Sequence, residues 1–267
     1  MQDIEYMTDE TLKDIKLIVF DVDGVLVPRG TNIKQSGNIT TLETKKIADK
    51  QIEQIRDIYD RGFLINISSG RSLFMLQDMF RKILPFVSIT YENGSATWYK
   101  GKVIQHFNSY KHLEEVYPLL LKVRHENIKG FEPKEFIITI HATSRVPEIE
   151  KILGKFNQLY CIWNGEAYDI GVKNLQTKGV GLQRITRFFK LTKKNVMAIG
   201  DNYNDIELLS RAGIPVSADK ERVAGVFYVP LGGEYLPADQ LMSQILKVTS
   251  SFDLEFVVMN SANDAYV

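Results

Sequence analysis

The chain has 267 residues, 44% of them hydrophobic, which is enough to bury a sizeable core in one or two domains. Lys+Arg and Asp+Glu each number 33, so the formal net charge is zero, which argues against bulk electrostatic attraction to nucleic acid or to a membrane surface. Cys161 is the single cysteine, which excludes an intrachain disulfide. Residues 1–10 lack the pattern of a secretion signal and no apolar run reaches membrane-helix length, so a cytoplasmic location is expected.

In chain order, residues 15–20 predict a strand, an apolar run that delivers Asp21, Val22, Asp23 and Gly24 at its end. Residues 28–41, rich in Asn, Thr, Ser and Gly, read as a loop. Ala48, Ile52, Ile55 and Tyr59 recur at helical spacing and predict a helix over 42–61, stopped by Gly62. Residues 63–67 predict a second strand, ending in the turn Ser68-Ser69-Gly70-Arg71. Leu73, Leu76, Phe80 and Ile83 mark the next helix, and 87–91 another strand. Alternating strands and helices imply a parallel sheet with right-handed crossovers.

The texture changes after Tyr91. Turns fall at 92–94 and 100–101, a helix over 111–124 is interrupted by Pro118, and 136–140 predict a strand. Pro147 opens a further helix, and strands 159–163 and 166–172 flank Asn164-Gly165, a strong hairpin signal. This set reads as a small α/β module over 108–172, inserted into a core domain made of 1–107 and 173–267. The main pattern resumes at Lys178 with a helix to about residue 189, then a strand over 195–199 that ends in Gly200-Asp201-Asn202-Tyr203-Asn204-Asp205. Short strands over 214–217 and 226–229 and a helix through Leu241, Ile245 and Val248 close the pattern; the tail from Ser250 has no clear period. The expected architecture is a doubly wound, mostly parallel, Rossmann-like sheet with an inserted α/β cap.

In an open parallel sheet, ligands bind beyond the carboxyl ends of the strands. Two such ends here carry Asp21, Asp23, Asp201 and Asp205, an oxygen-rich set that suits a hard divalent cation such as magnesium. Asp-x-Asp alone is weak evidence: it also marks sugar-nucleotide glycosyltransferases, and a strand-end acid can simply cap a turn. Asp-x-Asp-Gly directly after an apolar strand is stronger, since Gly24 lets the backbone approach a ligand. A phosphoryl group needs donors and positive charge around its oxygens. The Ser69 hydroxyl, the amides around Gly70 and the Lys178 ammonium supply them. Asn204 and Asp205 open a helix and either cap it or orient the metal and its water. His106, His112, His125 and His141 show no metal-ligand spacing; His141 and Arg145 on the module, and Arg71 and Asn93 near strand ends, are candidates for substrate contact.

Phe20-Asp21-Val22-Asp23-Gly24-Val25-Leu26 resembles the first motif of the haloacid dehalogenase superfamily of phosphotransferases. Ile67-Ser68-Ser69-Gly70-Arg71, Leu175-Gln176-Thr177-Lys178-Gly179 and Gly200-Asp201-Asn202-Tyr203-Asn204-Asp205 resemble the second, third and fourth, in order; the likeness spans most of residues 15–248. Departures are Gly24-Val25 where many members have Gly-Thr, Ser69 where Thr is common, and Ser217-Ala218-Asp219-Lys220 in place of a frequent Gly-Asn-Ala. The resemblance implies a cytoplasmic, magnesium-dependent phosphatase acting on a small phosphorylated metabolite such as a sugar phosphate. It further implies Asp21 as nucleophile and Asp23 as acid and base, with metal held by Asp21, the Asp23 carbonyl and Asp201. A cap between the second and third motifs is the Cof-type, sugar-phosphatase-like arrangement. A phosphomutase would share the same aspartates. A non-catalytic binding protein on this scaffold is the alternative from another class.

Overall fold

The computed structural model describes residues 1–37, 39–230 and 235–250. The tail beyond Ser250 lies outside the described residues.

Strand Leu17–Phe20 is buried on both faces: Ile18 and Phe20 join one apolar cluster, Leu17 and Val19 another. Strand Val196–Gly200 divides the same way, with Met197 and Ile199 on one side and Val196 and Ala198 on the other. Two-sided burial is why these segments read as unbroken apolar runs, as parallel strands covered by helices do. Each such aliphatic side chain contributes about 1.5–3 kcal/mol on burial.

Both strands lie inside a nine-stranded sheet. From one edge its order is Gln2–Asp3, Phe227–Tyr228, Ile214–Ser217, Val196–Gly200, Leu17–Phe20, Leu64–Ser68, Val87–Tyr91, Ala96–Tyr99 and Lys102–Gln105. The strands run parallel as far as Val87–Tyr91; the last two continue the sheet antiparallel. Helices Asp49–Asp60 and Pro237–Val248 cover one face through Ile52, Ile55, Ile58, Leu241 and Ile245. Helices Lys178–Phe188 and Ile206–Ser210 cover the other through Leu182, Ile185, Leu208 and Leu209. This is the doubly wound, mostly parallel arrangement expected. Pairing of Ile199 with Phe20 sets the two acidic segments side by side.

A separate four-stranded antiparallel sheet has the order Leu159–Trp163, Ala167–Val172, Ile138–Ala142, Ile128–Glu132. One face packs Ile138, Ile140, Tyr168 and Ile170 against Val116, Leu120 and Ile149. Alternation turns Thr139, His141 and Asp169 to the other face, toward the core. This is the cap.

Four local readings change. The stretch 28–41 is not all loop, and the helix expected from 42 does not begin there: residues 39–42 form a strand. They pair antiparallel with Ile33–Ser36, and the helix starts at Asp49, where the Gln51 side chain accepts the Ala48 amide. The segment 111–124 forms two short helices, Tyr110–Leu113 and Val116–Leu120, because Pro118 has no amide to continue a longer one. Ile128–Glu132 is an additional strand, masked in sequence by Lys129 and Gly130. The strand expected at 136–140 shifts to Ile138–Ala142, since the amides of Glu135, Phe136 and Ile137 are taken by the Glu92 carboxylate.

Candidate active site

The acids meet because their strands are neighbours. The Asp21 amide donates to the Ile199 carbonyl at 3.1 Å, extending the sheet pairing by one residue. Asp21 is buried, as are Asp201 and Asp205, and one carboxylate oxygen from each lies within 4.8 Å of the others. Lys178 opens the helix Lys178–Phe188, whose first turn is capped by the Thr177 hydroxyl accepting from the Val180 amide. From there its ammonium donates to Asp21 Oδ1 at 2.5 Å and to Asp205 Oδ1 at 2.7 Å. Asp205 Oδ2 accepts the amides of Asp201 and Asn202, at 3.2 and 3.1 Å. Asp205 therefore holds both the lysine and the loop that carries Asp201.

Three carboxylates surround one ammonium, so negative charge is in excess. Burial, then repulsion from Asp205, lifts the Asp21 carboxyl well above its usual range, and Lys178 offsets this only in part. Burial and Asp205 likewise raise Asp201 against the opposing pull of Arg29. Burial works against the Lys178 charge, but Asp205 and Asp21 outweigh it and keep the ammonium protonated. Arg29 lies over Asp201, donating from Nε to Oδ2 at 2.7 Å with Nη2 at 2.5 Å.

This set fits a divalent cation. The donors are hard oxygens, they converge, and their mutual repulsion is relieved by added positive charge. Gly24 has φ +85°, and a Cβ there would fall 1.9 Å from Asp201 Oδ2, so the close approach of backbone to carboxylate requires glycine.

The sequence candidates sort clearly. Asp21, Asp23, Ser69, Gly70, Arg71, His141, Lys178, Asp201 and Asn204 all line one cavity of about 330 Å³ between core and cap. Arg71 grips Asp23 with both arms of its guanidinium, Nε to Oδ2 at 2.8 Å and Nη2 to Oδ1 at 2.6 Å. Ser69 Oγ accepts the Arg71 amide at 3.2 Å, which shapes the turn around Gly70. Asn93 does not line the cavity. It is buried behind Gly70, where a Cβ would meet its Oδ1 at 3.0 Å, and it donates to the Tyr160 hydroxyl at 3.2 Å. Arg145 does not line the cavity either: it is exposed and pairs with Glu150 at 2.8 Å.

The cap and one core loop supply residues that sequence reading missed: Arg29, Glu132, Lys134, Thr139 and Asp169 also line the cavity. Glu132, Thr139 and Asp169 form one row across three strands, because Thr139 pairs with Glu132 on one side and with Asp169 on the other. The signal available in sequence was the alternation Ile138-Thr139-Ile140-His141, apolar to the cap core and polar to the cleft.

Known proteins share this plan. The pattern of the haloacid dehalogenase-like hydrolases matches residues 18–128 and 111–220, and the chain belongs to that family. It is a phosphoric monoester hydrolase. It is 26% identical over 223 residues to the 5-amino-6-(5-phospho-D-ribitylamino)uracil phosphatase YcsE of Bacillus subtilis, covering 76% of this chain and 84% of that protein. It is 25% identical over 203 residues to phosphoglycolate phosphatase 1 of Saccharolobus solfataricus, covering 76% and 82%. A solved subclass IIB sugar phosphatase of the same superfamily superposes with TM-score 0.61 at 20% identity, over 90% of this chain and 100% of that one. A superfamily phosphatase of Bacteroides thetaiotaomicron superposes with TM-score 0.62 at 18% identity, over 87% and 94%. Among the described residues no helix is long and apolar enough to cross a membrane.

Proposed function

We propose that the protein hydrolyses a small, soluble phosphate monoester with magnesium, through an aspartyl-phosphate on Asp21. The observation that carries this reading is the convergence of Asp21, Asp23, Ser69, Lys178 and Asp201 on one capped cavity. An Asp21 carboxylate oxygen attacks phosphorus while the bond to the leaving oxygen breaks, and Asp23 gives that oxygen a proton. Asp23, now a base, takes a proton from water as the water oxygen attacks the phosphorus of the aspartyl-phosphate. The bond from phosphorus to Asp21 breaks and inorganic phosphate leaves. Arg71 fixes Asp23 through both carboxylate oxygens, so that its reach to the leaving oxygen is set before substrate arrives. Ser69 Oγ, the amides around Gly70 and Lys178 Nζ donate to the phosphoryl oxygens. Asp205 orients the loop that carries Asp201 through two of its backbone amides, and Asn204, which lines the cavity, supports the metal or its water.

Magnesium, held by the carboxylates of Asp21 and Asp201 and the backbone carbonyl of Asp23, would neutralise charge on the transferring group. The cavity lies between the core residues 1–107 and 173–267 and a cap over 108–172, and a cap that closes over it limits what enters. Small metabolites are therefore favoured over phosphoproteins, and sugar phosphates are the leading substrate class.

The test is a panel of phosphorylated metabolites, a phosphopeptide and an aryl phosphate, assayed for inorganic phosphate with magnesium, with chelator and with magnesium restored. Release of phosphate from small esters, abolished by chelator and recovered with metal, is expected. A phosphopeptide turning over best would defeat the closed-cap reading, and an isomerised ester without phosphate release would make the enzyme a mutase.

A further inference from the structure

The turn after strand Val87–Tyr91 has a costly backbone. Glu92, Asn93 and Gly94 have φ of +46°, +53° and +81°, and the left-handed region disfavours the first two. Such backbone persists where its surroundings fix it, and it concentrates at functional sites. Three parts of the molecule meet at this turn. On the phosphate side, the Asn93 amide donates to the Ser69 carbonyl at 3.1 Å and the Glu92 amide to the Arg71 carbonyl at 3.2 Å. Against the helix that opens with Lys178, Gly94 sits backbone to backbone. A Cβ there would fall 2.4 Å from the Thr177 carbonyl oxygen and 2.8 Å from Gly181.

On the cap side, the buried Glu92 carboxylate takes three successive backbone amides. Its Oε2 accepts from Phe136 at 2.6 Å and from Ile137 at 3.1 Å, and the Glu135 amide donates to both oxygens, at 3.0 and 3.1 Å. Burial lifts this carboxyl above its ordinary range, and the amides pull against it. The segment it grips is where the cap is pinned. Phe136 is buried in the core cluster rather than in the cap's own, with its ring centroid 6.1 Å from that of Tyr91. The Phe136 carbonyl accepts from Ser109, where the chain enters the cap, at 2.6 Å, and from Gln176, just past the exit, at 2.9 Å. Entry, exit and the gripped segment meet beside one turn. A further tie runs from Asn93 to the Tyr160 hydroxyl of the cap at 3.2 Å.

We infer that Glu92 is a positioning residue: it seats the cap and the phosphate-binding loop on one turn, so that loosening the seat loosens the loop that carries Ser69 and Arg71. The inference rests on the phosphatase reading above and deepens it by naming a residue outside the cavity on which phosphate binding depends. Glu92 does not line the cavity. It acts through the amides of Glu92 and Asn93 on the loop, and through Gly94 on the start of the helix that carries Lys178. A small misplacement of such elements is enough to weaken binding and slow transfer. An ordinary buried acceptor would hold residues 135–137 and nothing beyond them.

Amide hydrogen exchange, followed residue by residue without substrate, separates the two roles. Glu92→Ala frees the amides of residues 135–137 under either. If the turn couples the two sides, the amides of Asn93, bonded to the Ser69 carbonyl, and Arg71, bonded to Ser69 Oγ, lose protection as well. The expected loss is about tenfold, taken relative to strand Leu17–Phe20 so that a uniform fall in stability cancels. Glu92→Gln, which keeps an acceptor for the same amides, should stay within about threefold of wild type. A loss confined to 135–137 would overturn the inference. If Glu92→Ala does not fold, Glu92→Asp, one methylene shorter and better tolerated in a left-handed turn, is held to the same criterion. A binding arm titrates inorganic phosphate with magnesium by calorimetry. Its Kd should weaken about fivefold or more in Glu92→Ala and recover in Glu92→Gln. An unchanged Kd in the folded variant would also overturn the inference. If the wild type neither releases phosphate from any ester nor binds inorganic phosphate, the phosphatase reading fails, and the exchange pattern still decides the inference. Normal turnover with losses confined to 135–137 defeats the inference and leaves that reading standing.

Discussion

The floor and the roof of the cleft both bury charge, and they resolve it differently. On the floor, Asp21 and Asp205 converge on Lys178, Asp201 lies beside them, and Arg29 reaches in to Asp201 from the side. Charge there stays unbalanced, and burial, with repulsion from Asp205 added to it, raises Asp21 and Asp201. On the roof, Glu132, Lys134, Thr139, His141 and Asp169 satisfy one another almost completely. A buried carboxylate without compensation is costly and is kept where a cation or a reaction uses it. A satisfied buried network rigidifies and discriminates. On the proposed reading, chemistry belongs to strand ends of the parallel sheet, and recognition to one face of an antiparallel sheet.

The largest effect that breaks the comparison is at Asp21. Asp21→Asn should remove nearly all turnover, since the amide cannot attack phosphorus. It should also leave the metal-free protein at least as stable as wild type, because a carboxylate held above its usual range by burial and by Asp205 is a destabilising charge at neutral pH. Initial rates and thermal melts in chelator test both. A folded variant with near-wild-type rates would end the nucleophile assignment, and a melt well below wild type would end the electrostatic one.

Next come Asp201 and Asp205, which the floor uses in different ways. Asp205→Ala strips a partner from Lys178 and from two backbone amides, and should lower unfolding stability by about 1–3 kcal/mol in urea. Asp201→Ala should do less to stability and more to metal response: the rise in Tm that magnesium gives the wild type should be largely lost. Equal metal-induced shifts in the two variants would contradict the assignment of Asp201 as a ligand.

A smaller effect is expected at Arg29. Its guanidinium offsets Asp201 when no cation does so, and it is itself partly exposed. Arg29→Ala should lower Tm in chelator by about 2–4 °C, the shift that roughly 1 kcal/mol produces in a chain of this size. The gap should narrow with magnesium, and a gap independent of metal would show that Arg29 matters only for packing.

The floor was legible in sequence and most of the roof was not, for a physical reason. Asp21, Asp23, Ser69, Lys178 and Asp201 each stand at a strand end or helix start, where local signals such as Gly24, Gly70 and Gly200 mark the backbone. Roof residues sit mid-strand, and a polar residue mid-strand looks alike whether it faces water or a cleft. His141 was picked out because it ends the expected strand, and it does line the cavity. Arg145, a candidate as a polar residue of the same module, instead pairs with Glu150 at the surface. Glu132 could not be found because its strand carries Gly130 and its hydrogen-bonding partner His141 meets it only across the pairing with the neighbouring strand. Arg29 lies in a segment that reads as loop, and its contact with Asp201 spans 172 positions.

The joint between the two regions gives the smallest and last prediction. His106 follows the edge strand Lys102–Gln105, just before the chain enters the cap helices. Its Nε2 lies 2.8 Å from Thr97 Oγ1, and its amide donates to the Ser95 carbonyl. Burial, with the Arg184 cation adding to it, pushes the imidazole down from 6.5 to about 4. An unfolded chain takes up a proton near pH 6.5 that the folded protein refuses, so this contribution to stability is complete above about pH 6.5 and is lost as pH falls toward 4. The ring is only half-buried, so solvent screening should hold the loss well under the roughly 1.4 kcal/mol per pH unit of a fully shielded group. His106→Gln removes the titration while keeping a side-chain amide near Thr97. Urea midpoints for both proteins from pH 7.5 to 4.5 should show the wild type losing its advantage over the variant as pH drops. A constant difference across that range would mean that His106 carries no charge-linked role at the joint.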